Sequence, residues 1–451
     1  MAFQYGFNSF NYQDYFERSA SFLAEHRWIF EQSNTKFVQA GTLDVLPSTW
    51  IQDLKRANND ELNAIPLGHV CGDWCDDLKR FLKVVKSLSV EYEQRCDTCS
   101  EKPAMAKGIS PKKMYEIQNL TSLIGEICDR NETLLDFGSG LGYLSQHINA
   151  VHQFRVLGLE GDSYRVQAAH KRQANMFPNS LEKVKYVQHF IQENSFDQIK
   201  EALTSAFPDE LNPSIAIVGL HACADLSVTA IKMFLFNEYV TKLIIMPCCY
   251  HKLAFDEEHC SKFKNFPISQ KLKEAKEPHI NFIGRPFLRL GCQQTASRWK
   301  NMTEEEHISH GLAMFERSLV EALVKPGQTV TKRRSKSGGE DDNLLDKFYL
   351  SDASKIGPEC DIPWDDTHRN KFEELSKKYP DGGQLAEFLT CLQTCLQPVC
   401  ENLILLDRMC YIEMEAKYRN IPVRCNLIKF SNDNLSPRCF VIVAEKVTKM
   451  R

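Results

Sequence analysis

The chain reads as an α/β protein: an open, mostly parallel sheet finished by an antiparallel hairpin, with an N-terminal helical region and a large late insertion. Three observations predict it. Short apolar runs at 133–135, 154–159, 184–187, 215–220 and 243–246 alternate with helical stretches at 164–176, 196–207 and 226–237, the pattern of a parallel sheet with helices on both faces. A glycine loop joins the first strand to a helix opening at Tyr143. The last two runs, 426–430 and 439–445, are too close for a parallel crossover and must pair antiparallel.

The strands set the boundaries. Residues 1–106 read as helical and aromatic-rich, 107–252 as the first part of the sheet domain, 253–398 as an insertion after the fifth strand, and 399–451 as the final helix and hairpin. Trp74, Leu78, Phe81, Leu82, Val85 and Leu88 recur at helical spacing and mark one buried stripe. Phe3, Tyr5, Phe7, Phe10, Tyr12, Tyr15 and Phe16 are aromatic enough to stack nucleobases, but such residues more often pack a core. The insertion shows few strand-like runs, and its polar tract at 331–343 is expected to be a mobile loop with a solvated basic cluster. Residues 401–418 form a strong amphipathic helix.

Composition excludes several classes. A net charge of −4 over 451 residues leaves no global attraction to nucleic acid, so any RNA contact is a local patch. No apolar run approaches the roughly 18 residues that span a membrane, and the first residues lack a secretory pattern. Seventeen cysteines, an odd number, suit reduced thiols in cytoplasm or nucleus.

The loop Asp136-Phe137-Gly138-Ser139-Gly140-Leu141-Gly142 carries the chemistry. Glycines there let the backbone turn tightly and lie close to a ligand, and the helix start aims unpaired N–H groups outward. Glu160 ends the second strand twenty residues after Gly140, where a carboxylate can accept both ribose hydroxyls. A dinucleotide site asks for G-x-G-x-x-G, whereas Tyr143 takes the third glycine's place. The D-x-G-x-G-x-G that stands instead resembles the first motif of class I S-adenosylmethionine-dependent methyltransferases. The resemblance implies a Rossmann-like seven-stranded sheet with an antiparallel last strand. It makes Asp136, Gly138, Gly140, Gly142 and Glu160 cofactor contacts, with Asp136 near the methionine end.

Ligands of open α/β sheets sit beyond the carboxyl ends of the strands. After strands four and five stand Gly219-Leu220-His221-Ala222-Cys223-Ala224-Asp225-Leu226 and Met246-Pro247-Cys248-Cys249-Tyr250-His251-Lys252-Leu253. His221, Tyr250, Cys248 and Cys223 are the catalytic candidates, with His221 also near the cofactor. Asp225 suits an N-cap. Cys223, Cys248 and Cys249 admit three readings: small buried hydrophobes, zinc ligands with His221 or His251, though without the usual close pairs, or a nucleophile at Cys248. Inert thiols are favoured and no metal is expected. Cys71, Cys75, Cys96 and Cys99 have ribbon-like spacing, but Cys71 and Cys75 would share a helical face, which favours ordinary thiols. Lys112 and Lys113, in the first turn of a helix begun by Ser110-Pro111, oppose the helix dipole and are candidates to meet an anion.

GLHACADLS, PCCYHKL, SPKK-x-YEI at 110–117, ENLILLDR at 401–408 and LSPR at 435–438 together resemble the methyltransferase-like protein 25 family, which includes proteins named for a ribosomal RNA adenine dimethylase domain. The likeness covers 107–251 and 401–446. It implies a methyltransferase acting on RNA (tRNA or rRNA) or otherwise on protein, or an inactive cofactor-binding subunit that docks a partner through the insertion. No [D/N/S]-P-P-[Y/F/W] follows strand four, which argues against adenine-N6 chemistry. Proline-cysteine follows strand five only, so the two-cysteine pattern of carbon-methylating enzymes is incomplete, and an oxygen or nitrogen target oriented by His221 and Tyr250 is expected.

Overall fold

The computed structural model describes residues 10–95, 109–209, 214–259, 261–275, 279–293, 295–333, 344–352, 354, 361–430, 435–436 and 440–447. The expectations for Phe3, Tyr5, Phe7, Cys96, Cys99 and 334–343 lie outside these residues. Two compact units result: Met1–Ser21, Val90–Gln293 and Val399–Arg451 form one, and Phe22–Ser89 with Gln294–Pro398 form the other. The N-terminal region and the insertion, read from sequence as separate additions, thus supply most of a single unit, while residues 253–293 belong with the sheet.

The strands among the described residues are β1 Glu93–Arg95, β2 Thr133–Phe137, β3 Arg155–Glu160, β4 Val184–Gln188, β5 Ile215–Cys223, β6 Val240–Cys248, β7 Gln328–Lys332, β8 Phe348–Asp352, β9 Asp361–Ile362, β10 Val423–Phe430 and β11 Phe440–Lys446. The first unit holds an eight-stranded sheet in the order β1-β10-β11-β6-β5-β2-β3-β4. Strands β2 to β6 pair in parallel, and β11 runs against both β6 and β10. The eighth strand corrects the expected seven: β1 pairs in parallel with β10 at the edge. Its residues, Glu93-Gln94-Arg95, carry no apolar alternation to announce it. Leu134, Leu135, Val156, Leu157, Ile217, Val218, Ile244 and Ile245 are completely buried, as expected of strands covered on both faces.

The amphipathic helix expected over 401–418 is the end of a longer one, Gly382–Tyr418, with Pro398 inside it. Among the described residues this helix alone is long and apolar enough to cross a membrane, which the sequence reading missed. Its most apolar window is 89% buried in the protein, which makes it a core helix.

In the second unit the helix Asp76–Ser87 buries Leu78, Phe81 and Leu82, flanked by buried Trp74 and Leu88. Phe81 packs with Phe22, His26 and Trp50. The insertion contains strands after all: β7, β8 and β9 form an antiparallel sheet over a core of Val320, Leu323, Val330, Leu345 and Phe348. Thr331 and Lys332, placed by sequence in a mobile loop, end β7 opposite Tyr349 and Phe348. In β7 only Val330 is buried, so the strand lacks an apolar signature. Cys71 and Cys75 lie ahead of the helix rather than on one of its faces.

Candidate active site

The carboxyl ends of β2, β3, β5 and β6 deliver the predicted residues. Gly138, Gly140 and Gly142 all have left-handed φ, at 73°, 56° and 73°, a region costly for any side chain. The Gly140 N–H donates to Glu160 Oε2 at 3.0 Å, and the Asp162 N–H donates to Oε1 at 3.1 Å. Glu160 therefore fixes the loop, while its remaining lone pairs stay available to sugar hydroxyls. A Cβ on Gly140 would meet nothing closer than the Gly138 carbonyl oxygen at 4.0 Å, whereas one on Gly142 would overlap the Tyr186 hydroxyl. Gly140 thus leaves room for a ligand, and Gly142 makes room for a side chain. This cradle, with Glu160 beside it, fits a nucleoside cofactor.

Asp136 is fully buried and accepts a 2.5 Å hydrogen bond from Ser145 Oγ. Burial pushes its carboxyl up to about 6 against the pull of that bond. It ties the loop to the following helix, Tyr143–His152. Sequence reasoning missed Phe190, which is 75% exposed just after β4 and borders Gly161. It offers an aromatic platform next to Glu160.

His221 is held by geometry that the sequence did not announce. The β5–β6 register slips between Gly219 and Ala222, with two residues between them on β5 against one on β6. Within this bulge His221 takes φ 59°. Bulges re-aim side chains beside active sites. The imidazole Nε2 donates to Glu116 Oε2 at 2.8 Å, and Ser436 Oγ donates to Glu116 Oε1 at 2.6 Å. Burial raises the Glu116 carboxyl, but His221, Ser436 and Lys112 outweigh it and the net shift is downward. Glu116 is the principal functional candidate that sequence reasoning passed over. The signal was its place in SPKK-x-YEI, one of three segments whose residues now meet at a single carboxylate.

The lysines divide. Lys112 Nζ lies 3.9 Å from Glu116. Lys113 packs over the Tyr143 ring at 4.3 Å, and the Arg172 guanidinium stacks on the same ring at 4.0 Å. Burial lowers both cations' pKa.

The segment after β6 is more enclosed than expected. Cys223 Sγ and Cys248 Sγ are 3.1 Å apart. Hydrogen bonding to Cys223 and burial push the Cys248 thiol up, and the same contact pulls Cys223 down. Tyr250 is buried, with its hydroxyl 3.3 Å from Glu401 and its ring 5.1 Å from the Arg408 guanidinium. That hydroxyl is committed to the core, a correction to its expected role of orienting a target group. Asp225 begins the helix Asp225–Phe236 but does not cap it. Its carboxylate accepts from the Ala254 N–H and from Asn265 Nδ2. Asp407, within ENLILLDR, accepts from the Ile268 and Ser269 N–H groups and from the Ser269 hydroxyl, and so anchors the chain after β6.

Residues 112–256 match a family model described as a methyltransferase domain. The likeness to a methyltransferase domain thus covers about a third of the chain. It is also similar to two proteins named "probable methyltransferase-like protein 25". The mouse protein is 26% identical over 248 residues, covering 51% of this chain and 37% of the relative. The human one is 25% identical over 247 residues, covering 51% and 36%. The matched stretch thus spans little over a third of the length of these relatives. The matched domain runs from Lys112 past Cys248, so it holds the glycine loop, Glu160 and both partners of the Glu116–His221 pair. Ser436, the third member, lies beyond it.

Proposed function

We propose that the methyltransferase domain binds S-adenosylmethionine and transfers its methyl group to an oxygen or nitrogen of RNA. The cofactor supplies an electrophilic methyl on its sulfonium. Gly140 and Glu160 would hold its sugar, Phe190 its base, and His221 would stand at the strand tip where the target group arrives. The single observation that carries the reading is the Glu116–His221 hydrogen bond beside the glycine loop. A carboxylate on one imidazole nitrogen fixes the ring's tautomer and orientation, which suits presenting the other nitrogen to the proton of the target group as the methyl is transferred.

Cys248 fits this chemistry as a wall. The contact with Cys223 and burial hold the pKa of the free Cys248 thiol up, which makes it a poor nucleophile. RNA is favoured over protein because Arg165 and Arg172 lie within electrostatic reach of Lys113, and Tyr164, on the same helix as the two arginines, is 76% exposed. Cations with an exposed aromatic serve phosphates and splayed bases.

The test is transfer of labelled methyl groups from S-adenosylmethionine by the full chain to total RNA and, separately, to lysate protein. The reading expects labelled RNA nucleosides, reduced roughly a hundredfold or more in His221→Ala. Label in protein alone would move the substrate class. Intact cofactor binding without transfer to either would favour a scaffold that docks a partner through the insertion.

A further inference from the structure

We propose that Cys223, Cys248 and Cys249 form a zinc site at the carboxyl ends of β5 and β6. This goes against the sequence expectation of inert thiols and no metal, and it does not depend on the methyl-transfer reading. Three observations carry it.

The first is convergence. Cys223 and Cys248 end adjacent strands as paired residues, and the three sulfurs all lie within 4.8 Å of one another. Zinc–sulfur bonds of about 2.3 Å place tetrahedral sulfurs about 3.8 Å apart. Cys223 and Cys248, now 3.1 Å apart, need part by only about 0.7 Å to reach that edge.

The second is how the convergence arises. Consecutive residues of a strand point to opposite faces, so Cys248 and Cys249 would ordinarily diverge. Cys249 instead adopts φ 50°, and Ala224, just after Cys223, adopts φ 49°. Left-handed backbone at non-glycine residues is strained and clusters at functional sites. Here the turn at Cys249 brings neighbouring thiols together.

The third is charge. Arg408 is fully buried, and its two terminal guanidinium nitrogens have no hydrogen-bond partner among the described residues. Its electrostatic neighbours include Tyr250, Asp407, Cys248 and Asp225. A buried guanidinium short of hydrogen-bond partners is costly even with Asp407 and Asp225 as electrostatic neighbours. Zinc with three thiolates carries one net negative charge, which this arginine would offset.

Cys223 and Cys249 are partly exposed and Cys248 is buried. The metal would therefore keep three protein ligands and one exchangeable position, the open pattern of catalytic zinc. Each thiol gives up its proton on binding, so affinity rises with pH.

The experiment is titration of the reduced, metal-stripped full chain with zinc against a chromophoric chelator, repeated with cadmium to read thiolate charge-transfer absorption. One ion per chain is expected, bound by three thiolates, and weakened at least tenfold in Cys223→Ser and in Cys249→Ser. Melting of the metal-free variants checks that they fold. Cys71→Ser is the control, because Cys71 sits with His69 and Glu61 in a second convergent group. The proposal is overturned if no zinc binds, if binding survives both serine variants, if Cys71→Ser abolishes it, or if Cys223 and Cys248 are recovered as a disulfide from protein purified with zinc.

Discussion

Glu116 and His221 stand 105 positions apart in the chain and 2.8 Å apart in the fold. The pair joins the helix Pro111–Ile127 to the bulge in β5, and Ser436 closes the other side of the same carboxylate. Removing the charge while keeping the shape isolates its role. Glu116→Gln should lower kcat roughly ten- to a hundredfold and leave the KM for the cofactor within about twofold. Ser436→Ala should act in the same direction and more weakly. A change confined to KM would mean that the pair binds and does not act in the chemical step.

The glycines separate by what their missing side chains would meet. Gly140→Ala and Gly142→Ala both incur left-handed strain of about 1–2 kcal/mol. Only Gly142→Ala also drives a methyl into Tyr186. Thermal melting should show the larger loss in Gly142→Ala, while calorimetry should show the larger loss of cofactor affinity per unit of stability in Gly140→Ala.

Asp136 gives a pH dependence with a defined sign. Its carboxyl is raised in the folded chain, chiefly by burial, to about 6. The folded state therefore binds a proton more tightly than the unfolded chain. The stabilisation is fully present below the ordinary carboxylate pKa and is lost as pH rises through about 6. Asp136→Asn, which cannot ionise, should gain up to about 3 kcal/mol relative to wild type between about pH 4 and pH 7. Melting curves of the two proteins across that range check it, and parallel profiles would contradict it.

In the second unit the opposite sign applies. Glu387 accepts from His307 Nδ1 at 2.5 Å and from His310 Nδ1 at 2.6 Å. Burial raises its carboxyl, but the two histidines outweigh that and hold it low. Stability from this group is present above the ordinary carboxylate pKa and lost as pH falls through the depressed value. Glu387→Gln should cost about 3–5 kcal/mol near neutrality, a difference that narrows in acid.

Legibility in the sequence followed the local physics. The glycine loop and Glu160 were readable because a strand, a turn and a strand tip are local patterns. The final hairpin was readable because connection length alone dictates its sense. Glu116 was hidden because a carboxylate in the second turn of a helix looks like a partner for Lys112. Its meaning comes from a bulge more than a hundred residues away. Tyr250 was misread as facing the target because strand-end position does not reveal rotamer, and its hydroxyl turns toward Glu401. The β7–β9 sheet escaped notice because one buried Val330 in a run of threonine and lysine leaves no alternation to detect.

The central claim is that the Gly140–Glu160 cradle holds S-adenosylmethionine. Calorimetric titration of the folded full chain with the cofactor and with its demethylated product tests it most directly. Saturable one-site heat is expected, disappearing in Gly140→Arg and falling at least tenfold in Glu160→Ala. Absence of heat from folded wild type at millimolar cofactor, or equal binding by Gly140→Arg, would contradict it.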